Sequence, residues 1–422
     1  MFVDTALRAD AKRRVREIGE ADIVVGIPSY KNTRTIGALI ETAAEGLMHY
    51  YSDTSSVIVV SDGMSTDDTV QVAQAAPVPE AIEKIVTLYQ GLSGKGSAVR
   101  AVFEIAQDLN ARAVVLVDAD VRSMTPAWIE ALASPIMAGG YDFVTPYYSR
   151  HPNEVAINDL LGHPLTRALY GSDIRLPLGG DVALSSNLVN FLSEKDVWET
   201  DVARFGIHIW MTTLAIGEGW RLGQAALGTK THDYKDPTVG FEPKFLQVAG
   251  TMFRLMTIYR RTWPKTTRVR PVPIFGDIEL VEPEPIPTAL DSIWDAFNRG
   301  LSRFWDLWPT ILLPKNWDEV RQNLRQTGEW SYQLDISPEL WTRIVYDFAV
   351  VYNKGEGDPD KVVTALLPFY YARKANLIQQ AAEWDYQTFN RHIAEQAELF
   401  VQFRPYLIER WESYLPWSQY NI

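Results

Sequence analysis

The 422-residue sequence contains no cysteine. This excludes disulfide frameworks, zinc–thiolate centres and cysteine nucleophiles. Histidine is scarce, at six residues, so a metal site would have to draw on carboxylates and those few imidazoles. Positive charge is in deficit: 40 Lys and Arg face 53 Asp and Glu, for a formal net charge of −13. Such a chain lacks the footprint of a general nucleic-acid binder. An anionic ligand must then meet a local cationic patch or a metal ion. Long apolar runs are also missing, since none reaches the roughly 18–20 residues needed to span a bilayer. Positions 1–21 are charged and lack the apolar centre of a signal peptide. There Ala6, Ala11, Val15 and Ile18 predict a short amphipathic helix. The expectation is a soluble, cytoplasmic protein with no membrane span.

Apolar residues make up 46% of the chain, enough for a sizeable core. At roughly 100–200 residues per domain, the length fits two domains, or one large domain with an extension. From Asp22 to about Pro264, short apolar runs alternate with helical patterns. The runs are Ile23–Ile27, Val57–Ser61, Lys84–Tyr89, Ala113–Val117 and Phe143–Pro146. Thr35–Tyr50, Asp67–Ala76 and Gly96–Asn110 read as helices between them. This alternation predicts an α/β fold, a mostly parallel sheet with helices on both faces. In such sheets ligands bind beyond the carboxyl ends of the strands.

From Arg268 to Thr288 the pattern fails. Pro271, Pro273, Pro283, Pro285 and Pro287 accompany Glu282 and Glu284, which predicts an extended linker. Helices are expected beyond it over Ala289–Trp308, Trp317–Gln326, Pro338–Tyr352, Asp360–Gln380 and Asp385–Trp411. The organisation read from this is a catalytic domain over 1–267, a linker over 268–288 and an all-helical C-terminal domain over 289–422. Most of the 14 tryptophans follow the linker. Leu290, Ile293, Trp294, Phe297, Leu301, Phe304, Trp305 and Trp308 form an apolar stripe at helical spacing. It is expected to pack on the catalytic domain or on a partner subunit, and the aromatic tail is compatible with a homodimer.

Four expected strands end in polar clusters. The strand from Ala113 ends in Asp118-Ala119-Asp120. Alternate residues of an extended chain point the same way, so both carboxylates are expected to face one crevice. There they would suit a hard divalent cation, Mg²⁺ or Mn²⁺, with positions left for phosphate oxygens. Ile27-Pro28-Ser29-Tyr30-Lys31-Asn32 is the first companion loop. Ser61-Asp62-Gly63-Met64-Ser65-Thr66-Asp67-Asp68-Thr69 is the second, with Asp62 able to accept hydrogen bonds from a base or ribose. Gly91-Leu92-Ser93-Gly94-Lys95-Gly96 is the third. Its glycines would let the backbone approach a ligand, and Lys95 beside a helix N-terminus suits a pyrophosphate. The spacing is not that of a Walker loop.

In this order the motifs resemble nucleotide-sugar glycosyltransferases of the GT-A fold. Leu176-Pro177-Leu178-Gly179-Gly180-Asp181, Arg204-Phe205-Gly206-Ile207 and Lys230-Thr231-His232-Asp233 are similar to the retaining subgroup that holds glucosyl-3-phosphoglycerate synthase and mannosylglycerate synthase. The resemblance covers roughly Asp22 to Pro237. It implies a Rossmann-like GT-A domain in which Asp118 and Asp120 contact ribose and metal, Asp120 more directly. His232 completes the metal site, and Lys95 lies near the diphosphate. Pro28, Tyr30 and Asp62 form the nucleoside pocket. Leu178, Gly179 and Gly180 lie beside sugar and acceptor, and Arg150 and Asn158 hold an acceptor carboxylate or phosphate. At His208 the resembling enzymes usually carry a carboxylate near the transferred sugar.

The function expected from the resemblance is metal-dependent transfer of a hexose from a UDP- or GDP-sugar to a small acid of the glycerate or 3-phosphoglycerate type, with retention. Two other readings stay open. One is an inverting transferase acting on a lipid-phosphate or polysaccharide acceptor. The other is a nucleotide-sugar-binding protein with impaired catalysis, which the unusual His208 keeps in view.

Overall fold

The computed structural model describes residues 5–278 and 283–415. Glu282 of the proline-rich stretch lies outside the described residues. The chain forms two compact units that interleave in sequence. The first is Met1–Arg150, Ile174–Asp233 and Pro271–Pro283; the second is His151–Asp173, Tyr234–Arg270 and Glu284–Ile422.

The first unit is built on an eight-stranded sheet. Its strands are β1 (Ile23–Ser29), β2 (Ser56–Asp62), β3 (Ile82–Leu88), β4 (Ala113–Leu116), β5 (Phe143–Ser149), β6 (Val182–Ser185), β7 (Leu222–Thr229) and β8 (Ile274–Phe275). The order across the sheet is β8-β7-β5-β6-β4-β1-β2-β3. β4, β1, β2 and β3 run parallel, as do β5, β7 and β8. β6 alone runs antiparallel to its neighbours, between β4 and β5. Every residue of β1 and β2 is buried, as their Val- and Ile-rich runs require of strands covered on both faces. Pro28 sits inside β1 without harm. Pairing with β4 ends at Gly26↔Leu116, so the missing N–H falls where no β4 bond is due.

Helix Lys95–Asp108 crosses from β3 to β4 and lies close on the sheet. A Cβ at Gly26 would stand 2.4 Å from a Val102 methyl, so glycine is what allows this approach. The crossover brings the helix N-terminus, and Lys95 with it, to the carboxyl end of the strands. Part of the proline-rich stretch is structural: β8 adds an edge to the sheet, and the Phe275 ring covers Gly223.

The second unit is mainly helical. The apolar stripe of helix Leu290–Phe304 packs on helix Pro359–Gln380 of the same unit, with Gly300 against the Pro368 ring. This corrects the expectation of a catalytic-domain or partner surface for that face. The helix also stops sooner than expected. Pro309 would clash with the carbonyl of Trp305 in a continuous helix, and a new turn, Trp308–Ile311, starts there. Pro405 likewise divides the last predicted helix into Tyr386–Gln402 and Arg404–Ser413.

Buried polar groups hold this unit's irregular segment. The Trp341 indole donates to the Leu160 carbonyl at 2.9 Å. The Lys374 ammonium donates to the carbonyls of Glu154 (3.0 Å) and Val155 (2.8 Å). No helix among the described residues is long and apolar enough to cross a membrane.

Candidate active site

The loops after β1 and β2 are locked together. Asp62 is fully buried. It accepts from the Ser29 hydroxyl (2.8 Å), the Ser65 amide (2.7 Å) and the Ser65 hydroxyl (2.7 Å). Its carboxylate is therefore spent mainly on holding the two loops. Pro28 is buried, so of the three expected nucleoside contacts Tyr30 is the exposed one, at 56%. Lys31 and Met64, one in each loop, have positive φ of 56° and 62°, a conformation that costs energy for such side chains. The Thr35 hydroxyl donates to the Ala119 carbonyl at 2.6 Å, tying the first loop to the Asp-Ala-Asp segment.

The glycine loop differs from expectation. A Cβ at Gly96 would stand 1.8 Å from the Val202 carbonyl oxygen, and one at Gly94 2.6 Å from that of Ala203. The Gly96 amide donates to the Arg204 carbonyl at 3.1 Å. The close approach these glycines permit is thus to the protein's own 202–204 turn, not to a ligand. Its effect is to anchor the start of helix Lys95–Asp108.

The Asp-Ala-Asp segment also departs from the sequence reading. β4 ends at Leu116, and residues 119–120 form a turn. The alternation argument therefore does not apply, and the direction of each carboxylate is set by the turn and its partners. One Asp118 oxygen pairs with the Lys95 ammonium. The other pairs with Lys230 at 2.6 Å. Lys230 pairs in turn with Asp181 at 2.5 Å. The other Asp181 oxygen accepts from the Asp118 backbone amide at 2.9 Å. Lys230 and Asp181 are almost wholly shielded from solvent, with side-chain exposures of 1% and 0%. A Cβ at Gly180 would lie 2.2 Å from Asp118 Oδ1, so glycine is required beside this carboxylate.

Burial works against ionisation of Asp118, but Lys230, Lys95 and His208 outweigh it and hold the carboxyl well below its ordinary value. Asp181 is raised by burial and by the charge of Asp118, although Lys230 opposes this. Burial pulls Lys230 down, yet Asp118 and Asp181 raise it well above the usual lysine value. Tyr148 lies at the centre of the group. The Lys230 ammonium stands 5.3 Å and the Arg150 guanidinium 5.5 Å from its ring centroid. The structure therefore brings Lys95, Asp118, Arg150, Gly180 and His208 together. Gly179 packs on the ring of Pro146, which fixes the loop containing Leu178. Asn158 belongs to the second unit, where it opens the buried π-helical turn Asn158–Gly162.

His232 faces Val121 across an isolated antiparallel bridge, and the Arg122 amide donates to the Thr231 carbonyl at 2.9 Å. Asp120 thus lies next in sequence to Val121, the residue bridged to His232. Among the described residues, no group of three or more His, Asp or Glu gathers to hold a metal by itself. A divalent ion at Asp120 and His232 would have to take its remaining ligands from substrate oxygens. His232 Nδ1 lies 2.9 Å from the Asp233 carbonyl. With the proton on Nδ1 donated there, the lone pair is on Nε2, the form that binds metals.

Sequence reasoning gave no role to Asp181 or Lys230. Both were visible in the quoted motifs, but nothing in the spacing says that they meet.

Residues 24–178 match Glycosyl transferase family 2. That stretch holds β1 to β5 and the loops after β1, β2 and β3, together with the Asp-Ala-Asp turn. The class follows for that stretch: it carries a glycosyltransferase domain of the GT-A fold, most of it in the first unit. Within that class the chain resembles glucosyl-3-phosphoglycerate synthase from Mycobacterium tuberculosis. Its complex with phosphoglyceric acid is 19% identical with a TM-score of 0.44, over 60% of this chain and 86% of that one. The complex with Mn²⁺, UDP-glucose and phosphoglyceric acid gives 18%, 0.43, 58% and 83%. A structure described as a mycobacterial protein gives 20%, 0.42, 58% and 78%. No curated protein matches the chain.

Proposed function

We propose that this glycosyltransferase moves a hexose from a UDP- or GDP-sugar to a small acidic acceptor of the glycerate or 3-phosphoglycerate type, with retention of anomeric configuration. The observation that carries the reading is the convergence of three cations, Lys95, Lys230 and Arg150, on Tyr148 and Asp118 at the carboxyl end of the sheet. In a chain of net charge −13, the three cations exceed the two carboxylates they pair with, Asp118 and Asp181, and such a local excess suits an anionic ligand.

Asp120 and His232 would hold Mg²⁺ or Mn²⁺, which when bound acts as a Lewis acid toward the leaving diphosphate. Lys95 turns from Asp118 to the diphosphate and stabilises the charge that develops there. Tyr30, exposed beside the locked loops, offers its ring to the nucleoside. The Arg150 guanidinium takes the acceptor's carboxylate or phosphate in its planar fork. The acceptor hydroxyl attacks on the face that the diphosphate leaves and passes its proton to the leaving phosphate, so no protein nucleophile takes part. His208, where the resembling enzymes usually carry a carboxylate, lowers the negative charge next to Asp118, which favours an anionic acceptor.

The test is incubation with Mn²⁺, UDP-glucose or GDP-mannose, and glycerate or 3-phosphoglycerate, with the product's anomeric configuration read by NMR. An α-linked product that disappears on chelation, and in the Asp120→Ala variant, is expected. A β-linked product would replace the reading with an inverting one. Donor binding without transfer or hydrolysis would replace it with a binding protein.

A further inference from the structure

We infer that Asp181 is a positioning residue for donor binding, acting through Lys230 to keep the Asp118 carboxylate in place when Lys95 leaves it. The inference rests on the reading of this site as a nucleotide-sugar site. It extends that reading to a residue with no direct path to a ligand, because Asp181 is completely buried.

The geometry is one of two grips on one carboxylate. Lys95 holds one Asp118 oxygen and Lys230 the other. The two lysines differ in what else holds them. Lys95 has 19% side-chain exposure, so it can exchange partners. Lys230 is 1% exposed and is held from behind by Asp181 at 2.5 Å. Asp181 also grips the main chain, accepting from the Asp118 amide at 2.9 Å. One side chain therefore fixes both the backbone of the Asp-Ala-Asp turn and the cation that orients its first carboxylate.

When a diphosphate draws Lys95 away, Asp118 loses one of its two cations. Without Asp181, Lys230 would be free to follow Lys95 toward the diphosphate, and the turn would lose its amide anchor. With Asp181, Lys230 stays and the exchange involves Lys95 alone. A carboxylate on a nearby surface could not do this, since a solvated pair is weak and mobile. The pair is effective because it is buried, where removing one partner leaves an uncompensated charge.

The experiment compares Asp181→Asn, Asp181→Glu, Lys230→Met and the double variant Asp181→Asn/Lys230→Met in the full chain. UDP binding is measured by calorimetry with Mn²⁺ and separately with EDTA, beside the kinetic constants for UDP-glucose and 3-phosphoglycerate. Asp181→Asn is expected to weaken UDP binding about tenfold in both conditions and to raise the KM for UDP-glucose, with the acceptor KM within twofold. The double variant should bind UDP no more weakly than Lys230→Met alone, because Asn keeps an acceptor for the Asp118 amide and the lost charge acts through Lys230. Asp181→Glu, which keeps the charge, should bind more tightly than Asp181→Asn.

Unchanged UDP binding in a folded Asp181→Asn, or additive losses in the double variant, would overturn the inference. Should Asp181→Asn not fold, the comparison of Asp181→Glu with wild type decides by the same split between donor and acceptor. Failure of wild type to bind UDP at all would instead overturn the nucleotide-sugar reading, and the inference with it.

Discussion

Removal of the Lys230 ammonium should enlarge the loss of stability with rising pH that the buried Asp181 already causes. In the wild type, Lys230 compensates two buried carboxylates, at 2.6 Å from Asp118 and 2.5 Å from Asp181. Lys230→Met keeps the length of the side chain and deletes the charge. Lys95 still pairs with Asp118, so Asp118 stays ionised and the uncompensated group is Asp181. Breaking a buried pair costs about 3–5 kcal/mol when the remaining charge has no partner. That cost falls once Asp181 takes up a proton, which its burial and the neighbouring Asp118 charge already favour.

Asp118 in the wild type is held below its ordinary value of 3.8. Its contribution is present above that value and lost as pH falls through the folded one. In the variant, Asp181 is raised from 3.8, so the native state binds a proton that the unfolded state has released. Stability then falls as pH rises from 3.8 to the folded value, by about 1.4 kcal/mol per pH unit where protonation differs fully.

Urea unfolding at a series of pH values rising from 3.8, in EDTA, reads this directly. The variant should lose stability across the window relative to wild type. Lys230→Met/Asp181→Asn, which removes the orphaned charge, should recover much of the loss and flatten the difference. A difference between Lys230→Met and wild type that is constant with pH would refute the reasoning.

Gly96→Ala forces a Cβ to within 1.8 Å of the Val202 carbonyl oxygen, so the 202–204 turn or the helix start must move. A loss of about 1–3 kcal/mol with reduced transfer activity is expected, checked by urea unfolding and assay; wild-type values for both would contradict this packing. Lys374 is lowered to about 8 by burial, against the opposing charges of Glu154, Asp159 and Asp236. Since the unfolded lysine still binds its proton there, stability should rise with pH from about 8 to 10.5 by about 3 kcal/mol. Lys374→Met should abolish that rise, as measured by urea unfolding of both proteins across the window; a rise equal to wild type would assign it to other groups.

Much of the fold was legible because parallel strands covered on both faces need continuous apolar runs. β1, β2 and β4 are buried throughout and contain such runs, whereas β3, with Glu83 and Lys84, is only partly buried. The strands that were not foreseen lack one. β6 has four residues, β8 has two, and β7 carries Gly223, Gln224 and Gly228 in place of a β-branched series. Pattern also tells that a face is covered without telling by what. The stripe from Leu290 to Phe304 was correctly read as apolar and packed, but its partner is helix Pro359–Gln380. The glycines at 94 and 96 carried the same ambiguity. They signalled a close approach, and only the fold shows that the approaching group is the Val202–Arg204 turn.

The candidate site was legible by position and not by partnership, and two lysines make the reason plain. Lys230 and Lys374 are both buried lysines flanked in sequence by small or polar residues, and nothing local separates them. Burial acts on both in the same direction, toward loss of the proton. Lys374 meets it with carbonyl dipoles from Glu154 and Val155 and more distant carboxylates, and burial prevails. Lys230 has two carboxylates within 2.6 Å, and they prevail. The difference is set by Asp118 and Asp181, which stand 112 and 49 residues away along the chain. A sequence motif records residue types at fixed spacing, whereas the charge a buried lysine carries depends on groups brought from distant loops. The lysine that keeps its charge is the one beside the Asp-Ala-Asp turn, where a fixed charge can orient a carboxylate. The one that partly gives it up serves only backbone carbonyls.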